Sequence, residues 1–103
     1  SDQAMLPRKE NLDAELAAVA ATPPSNYPTS HQTGADGLFD VRIDLPDDAA
    51  RDFSQPSTRP LRRQVYLYGK KICGGREPFA FMASRELPEQ GPMKFRVSCI
   101  AGR

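Results

Sequence analysis

Two stretches in which apolar and polar residues alternate constrain the fold of this chain more than any other feature. In residues 39–45 every second side chain is apolar, and the side chains between are aspartate or arginine. Residues 93–99 show the same alternation, with lysine, arginine and serine between the apolar positions. A period of two is typical of a β-strand with one buried face. The sequence therefore predicts two strands, each with one side in the core.

Two further strands are predicted between these stretches. Residues 62–72 are rich in β-branched and aromatic side chains, and residues 65–68 alternate two aliphatic residues with two tyrosines. This composition favours a strand. Residues 79–83 form a short apolar run, which is consistent with another strand, and a glycine pair turns the chain between the two.

A helix and a linker are predicted before the strands. In residues 7–21, Leu12, Leu16 and Val19 recur at i, i+4 and i+7, the spacing of an amphipathic helix. Residues 22–37 show no periodicity and contain many turn-forming residues. This composition indicates a flexible, proline-rich linker.

The predicted architecture is α+β, with an N-terminal helix packed on an antiparallel sheet of about four strands. A chain of 103 residues has room for one hydrophobic core, so residues 1–103 are expected to form one domain. Residues 38–103 would form its β-rich core, and the order of one helix followed by strands favours antiparallel pairing. No apolar run approaches the roughly 18 residues of a transmembrane helix, so no membrane span is expected.

The two cysteines, Cys73 and Cys99, are expected to form a disulfide. Each lies at the end of a predicted strand and beside an isoleucine. Such a bridge in a small, proline-rich domain suggests an exported protein, because disulfides persist in oxidising compartments. The alternative is a pair of buried free thiols in a cytosolic protein, where cysteine packs as a small apolar residue.

The sequence contains no set of residues that indicates catalysis, a cofactor or a metal. The single histidine, His31, lies in the predicted linker, and no acidic residue at a recognisable spacing supports it as a base. Two thiolates and one imidazole leave a structural zinc ion without its fourth ligand. The aspartates at 40 and 44 alternate with apolar residues on a strand, which does not suit a calcium loop. We therefore expect no enzyme activity, no cofactor and no metal.

Charge is distributed unevenly along the chain. Residues 1–60 contain five basic and ten acidic side chains, whereas residues 61–103 contain nine and three. We expect this contrast to be neutralised between the halves or displayed as two faces. Residues 59–71 interleave cations with tyrosines, which suits either a binding surface or a solvated face. Lys94 and Arg96 would enlarge this surface if the strand at residues 93–99 lies beside the strand at residues 62–72. The candidate partner-binding residues are Arg62, Arg63, Tyr66, Tyr68, Lys70, Lys71, Lys94 and Arg96.

Two functions from different classes remain open. The first is a non-enzymatic binding module, exported to a cell envelope or secreted, such as a periplasmic, lipoprotein-derived or antigen-like protein. It would be a monomer that binds another protein or an envelope component through an exposed strand edge or the tyrosine and arginine face. The second is a cytoplasmic module that binds nucleic acid or another polyanion through residues 59–71. We expect the first, because a disulfide suits an exported protein.

Overall fold

Two helices and four strands make up the described part of the molecule. The computed structural model describes residues 9–82 and 88–100, and side chains from residue 13 onwards within these ranges. The four strands form one antiparallel sheet in the order β1-β2-β4-β3, with one helix packed directly on it and a second helix packed on the first, so the α+β prediction is confirmed. The elements in chain order are α1 (Lys9–Ala20), β1 (Thr29–Thr33), β2 (Phe39–Ile43), a short 3₁₀ turn (Pro56–Thr58), α2 (Arg59–Ile72), β3 (Pro78–Phe81) and β4 (Met93–Cys99).

Strands β2 and β4 form the centre of the sheet and supply most of the core. Val41 lies opposite Phe95 and Ile43 lies opposite Met93, and all four side chains are buried. These are the alternating apolar positions of the sequence, so both of these strands are confirmed, although β2 ends at Ile43 rather than at residue 45. Full burial of an aliphatic side chain of this size stabilises the fold by about 1.5–3 kcal/mol.

The prediction of a strand at residues 62–72 is wrong, because α2 occupies this segment. Its buried side chains include Leu61 and Gln64, and Val65, Tyr68 and Ile72 are partly buried in the same core. This spacing follows the period of an α-helix rather than the period of two of a strand. The aliphatic and tyrosine side chains of residues 65–68 are all apolar or aromatic, so their alternation does not separate a buried face from a polar one. The proline in the first turn of α2 removes no helical hydrogen bond and therefore does not prevent a helix here.

The N-terminal helix α1 does not cover the sheet as predicted. It packs on α2, and α2 covers the sheet. Leu16, predicted to be on its buried face, is 68% exposed, whereas Val19 is half-buried. The side chain of Leu12 lies outside the described part of the chain. Pro7 and Arg8, at the predicted start of the helix, also lie outside it, and so does Ala83, at the predicted end of the third strand. Neither helix in the described part of the chain combines the length and the hydropathy of a bilayer span.

The predicted linker, residues 22–37, contains a strand. Thr29–Thr33 pairs with β2 although nearly all its side chains are polar and exposed, so it carried no hydrophobic pattern that predicts a strand. The segment before it is held by the buried amide of Gln64. Its Oε1 accepts hydrogen bonds from the Ser25 hydroxyl (2.6 Å) and the Tyr27 backbone N–H (3.2 Å), and its Nε2 donates to the Tyr27 carbonyl (2.8 Å). One helical side chain therefore pairs with the extended backbone as a neighbouring strand would.

The predicted disulfide between Cys73 and Cys99 is present, with the Cα atoms 5.5 Å apart. Cys73 follows the last residue of α2, and Cys99 lies opposite Pro78 at the start of β3. The bond therefore ties the end of the covering helix to the end of the central strand β4, beside the start of the edge strand β3. For a sequence separation of 26, the chain-entropy model attributes about 3.5 kcal/mol of stabilisation to such a bond.

A glycine inside α2 allows the helix to lie close to the sheet. A Cβ atom at Gly69 would be 2.8 Å from the Cβ of Pro78 and 3.7 Å from a methyl group of Val97. Glycine inside a helix disfavours the helical state by about 1 kcal/mol relative to alanine. Glycine at this position therefore lowers the helix propensity of α2 but allows the helix to contact the sheet.

We expect the substitution Gly69→Ala to destabilise the protein by about 1 kcal/mol, measured as the free energy of urea unfolding. The clash with Pro78 requires a shift of backbone or ring, and overpacking of this kind costs about 1–3 kcal/mol, more than the propensity that alanine restores. Lys71→Ala, at an exposed position of the same helix, is the control and should change stability by less than about 0.5 kcal/mol. A Gly69→Ala protein more stable than the wild type would contradict the proposed close contact.

Candidate functional site

The cations of the first turns of α2 are paired with α1. Arg59 donates two hydrogen bonds to Glu15, through Nε to Oε2 (3.1 Å) and through Nη2 to Oε1 (2.8 Å), and Arg62 Nη2 lies 2.8 Å from the same Oε2. Hydrogen bonds from Arg59, and then from Arg62, lower the pKa of Glu15 from 4.5 to about 2. Arg62, a predicted partner-binding residue, therefore holds α1 against α2.

A second cluster surrounds Tyr66 on the side of α2 that is near β3. The Tyr66 hydroxyl donates to Glu77 (2.8 Å), and Lys70 Nζ lies 3.3 Å from the same carboxylate. These two hydrogen bonds, first that of Tyr66, lower the pKa of Glu77. The guanidinium of Arg63 lies 5.5 Å above the Tyr66 ring, at the distance of a cation–π contact. Lys71, at the end of the helix, is exposed.

Tyr68 faces the sheet rather than a partner. Its hydroxyl oxygen lies 2.6 Å from Nδ1 of His31 on β1, and the two rings meet edge to face. Burial raises the pKa of Tyr68. His31 is exposed, as expected of a linker residue, but it lies in a strand and contacts both Tyr68 and Phe39.

Lys94 and Arg96 do not extend the basic surface of α2, contrary to the prediction. They alternate along β4 with Met93 and Phe95, which are buried under α2, so they lie on the opposite face of the sheet, here called the outer face. Arg96 lies between Asp36 and Asp40, with a nitrogen 2.8 Å from each carboxylate. The eight candidate residues therefore form no single surface, because α2 covers one face and β4 exposes these two on the other.

The edge of the sheet at β3 carries exposed apolar side chains that the sequence analysis did not single out. Phe79 is 60% exposed and lies beside Phe81 on the outer face, with ring centroids 5.8 Å apart. Ile100, just after β4, is 46% exposed, and its N–H donates to the Glu77 carbonyl (2.9 Å). The sequence predicted a strand here, but only the strand order makes it an edge.

Between β3 and α2 lies a small apolar cavity that opens near this edge. Its volume is about 200 Å³. Ala80 projects to this side of the sheet, because its partner Val97 is fully buried in the core, yet Ala80 itself is exposed. The gap between helix and strand therefore remains open beside a strand that has no partner on that side in the described residues. The lining residues are Phe53, Val65, Ala80, Phe81, Met82 and Phe95.

Other kinds of site find less support in the described residues. Both cysteines are in the disulfide, so neither offers a thiolate. Within residues 9–82 and 88–100, no three histidine, cysteine or carboxylate side chains come together as a metal site requires. Comparisons with protein-family models, curated proteins and solved structures found no significant match.

The pairing of Glu15 with Arg59 and Arg62 predicts that attachment of α1 depends on pH. Because the pKa of Glu15 in the folded protein, about 2, is below its ordinary value of 4.5, the attachment is complete above about pH 5 and is lost as the pH falls towards 2. We expect Glu15→Gln to loosen α1 already at pH 7, seen as several-fold faster hydrogen exchange at the Val19 and Ala20 amides.

The matched control is Asp13→Asn, an exposed position on the same helix, which should leave these exchange rates unchanged. At about 1 M salt, where the screening length is near 3 Å, the wild type should approach the Glu15→Gln protein. Equal exchange in wild type and Glu15→Gln at pH 7 would show that the ion pairs do not hold α1.

Proposed function

We propose that this protein is an exported, non-enzymatic binding module that takes a protein partner at the edge of β3. The observation that carries the proposal is the exposed Phe79, beside the half-buried Phe81, on a strand that forms an edge of the sheet in the described residues. Proteins normally blunt such edges with charged residues, and β3 has none between Pro78 and Phe81. An exposed, apolar and unpaired edge is typical of a site for another chain.

The alternative, a polyanion-binding surface on α2, is weakened because several of its cations form ion pairs within the protein. Arg59 and Arg62 pair with Glu15, Lys70 pairs with Glu77, and Arg96 on the other face pairs with two aspartates. Phosphate binding needs cations that are free to replace counterions along one surface. The pairing of these groups therefore favours the protein-binding proposal.

Export is proposed from the disulfide. A bond that closes the contact between α2 and the sheet persists in an oxidising compartment and is rare in a reducing one. A non-enzymatic role is supported by the same bond, which removes both thiols from chemistry, and by the engagement of His31 with Tyr68. Catalysis would need a nucleophile and a base arranged together.

The binding proposal predicts that Phe79→Ser weakens the binding of peptides selected from a random display library by the wild-type protein. Burying a phenylalanine contributes about 1.5–3 kcal/mol, so the loss should be about tenfold or more in Kd. The control is Leu67→Ser, an exposed apolar residue of α2 that is 37% exposed and lies beside residues 24–29 instead. Failure to select any peptide, or equal binding by Phe79→Ser, would contradict the proposed surface.

The export proposal predicts that Cys73 and Cys99 are oxidised in the source cells. Thiols are trapped with an alkylating reagent during lysis, and the mass of the protein is measured before and after reduction. We expect two labels only after reduction. Two labels without reduction would overturn the proposed location, and a Cys99→Ser protein, which has one free thiol, calibrates the reaction.

A further inference from the structure

The backbone of β3 directs hydrogen-bonding groups outward at Ala80, and these groups have no partner within residues 9–82 and 88–100. The N–H of Ile100 donates to the carbonyl of Glu77, so these two residues are a hydrogen-bonded pair of the antiparallel ladder. In such a ladder hydrogen-bonded and non-hydrogen-bonded pairs alternate. Phe79 and Phe81 therefore direct their backbone groups to β4, whereas Pro78 and Ala80 direct theirs away from it. Both the N–H and the C=O of Ala80 face the open edge.

The space on either side of this edge is shaped for alternating side chains. On the α2 side lies the cavity of about 200 Å³ beside Ala80. A dry cavity of about 150 Å³ accommodates benzene, so this one suits a single leucine or phenylalanine side chain. On the outer face lie the rings of Phe79 and Phe81. A strand laid along β3 would direct one side chain into the cavity and its two neighbours onto these rings.

The charge of α2, the helix beside the cavity, indicates the charge of the partner. This helix carries five basic side chains and no acidic one. Arg59 and Arg62 are neutralised by Glu15, and Lys70 is paired with Glu77. Within the described residues no carboxylate pairs with Arg63, which contacts the Tyr66 ring on the side near β3. An acidic residue in the bound segment would complement this cation.

We infer that the partner binds as an extended, net-acidic peptide segment that adds a fifth strand to β3 and inserts one apolar side chain into the cavity beneath α2. This inference rests on the proposed function and names its partner class. Main-chain hydrogen bonds to Ala80 supply affinity in this arrangement, and the cavity supplies specificity.

The test uses a blocked synthetic peptide of about nine residues that alternates threonine and valine, has glutamate at both ends and leucine at its centre. Binding to the wild-type protein is followed by the NMR shift of the Ala80 amide. We expect a Kd below about 1 mM, and a weakening of tenfold or more when the central leucine is replaced by alanine, because each buried methylene contributes about 0.8 kcal/mol. Absence of binding at about 1 mM overturns the inference.

The decisive variant is Ala80→Pro, whose binding is followed by shifts of the β4 amides. It removes the outward N–H and leaves the bonds between β3 and β4, and proline is tolerated at such edge positions. We expect at least tenfold weaker binding with an unchanged Tm. The matched control is Thr33→Pro on β1. The N–H of Asp44 donates to the Pro28 carbonyl, and the N–H of Gly34 donates to the Leu38 carbonyl. Because hydrogen-bonded pairs alternate along the ladder, the N–H of Thr33 faces outward, at the opposite edge of the sheet from β3.

A peptide methylated on its central backbone nitrogens tests the same bonds without altering the protein. It should lose binding, whether or not Ala80→Pro folds. Equal binding of the methylated peptide, or an Ala80→Pro protein that folds and binds normally, overturns strand addition. If library peptides still require Phe79 in that case, the proposed function stands and this inference alone fails. If neither the library peptides nor the synthetic peptide requires Phe79 for binding, the proposed function and this inference both fail.

Discussion

The contact between Gly69 of α2 and Pro78 of β3 determines where the covering helix lies, and the remaining arrangement depends on it. With a side chain at residue 69, the helix or Pro78 would have to shift from its present position. With the helix this close to the sheet, Leu61 lies in the core and Gln64 binds the segment before β1. The disulfide forms at the end of the same helix. One face of the sheet is thereby covered, and no described residue covers the outer face or the β3 edge.

The uneven distribution of charge along the chain becomes intelligible once α2 is in place. A helix with five cations and no carboxylate would repel itself and its neighbours, so carboxylates from other elements neutralise it. Glu15 attaches α1, and Glu77 fixes the turn that leads into β3. On the outer face, Asp36 and Asp40 do the same for Arg96. Charge in this protein therefore organises the elements, which leaves less of it for binding polyanions.

The sequence allowed prediction where one residue pattern had one physical meaning. Alternation at residues 39–43 and 93–99 predicted the central strands, and two cysteines in a small domain predicted the disulfide. The prediction for α2 was wrong because consecutive apolar residues fit a strand or a helix, and burial at helical spacing decides between them. Strand β1 was missed because it is held by backbone pairing and by Gln64, neither of which leaves an apolar pattern.

The proposed site was harder to predict because it depends on strand order. The run at residues 79–81 reads the same whether it lies in the middle of a sheet or at its edge, and only the edge position exposes Phe79 and the backbone of Ala80. The candidate cations were conspicuous in the sequence, yet three of the six, Arg62, Lys70 and Arg96, are engaged in ion pairs within the fold. Residues that complete the fold and residues left for a partner are of the same types, so composition alone does not separate them.

A four-residue edge strand is marginal by itself, and here it is fixed at its first residue from two sides. Pro78 packs against Gly69 of the helix and lies opposite Cys99, whose disulfide leads back to the end of the same helix. A rigid edge loses little conformational entropy when a partner binds, which raises affinity through preorganisation. Because the disulfide that holds this edge needs an oxidising compartment, the proposed location and the proposed mode of binding depend on the same bond.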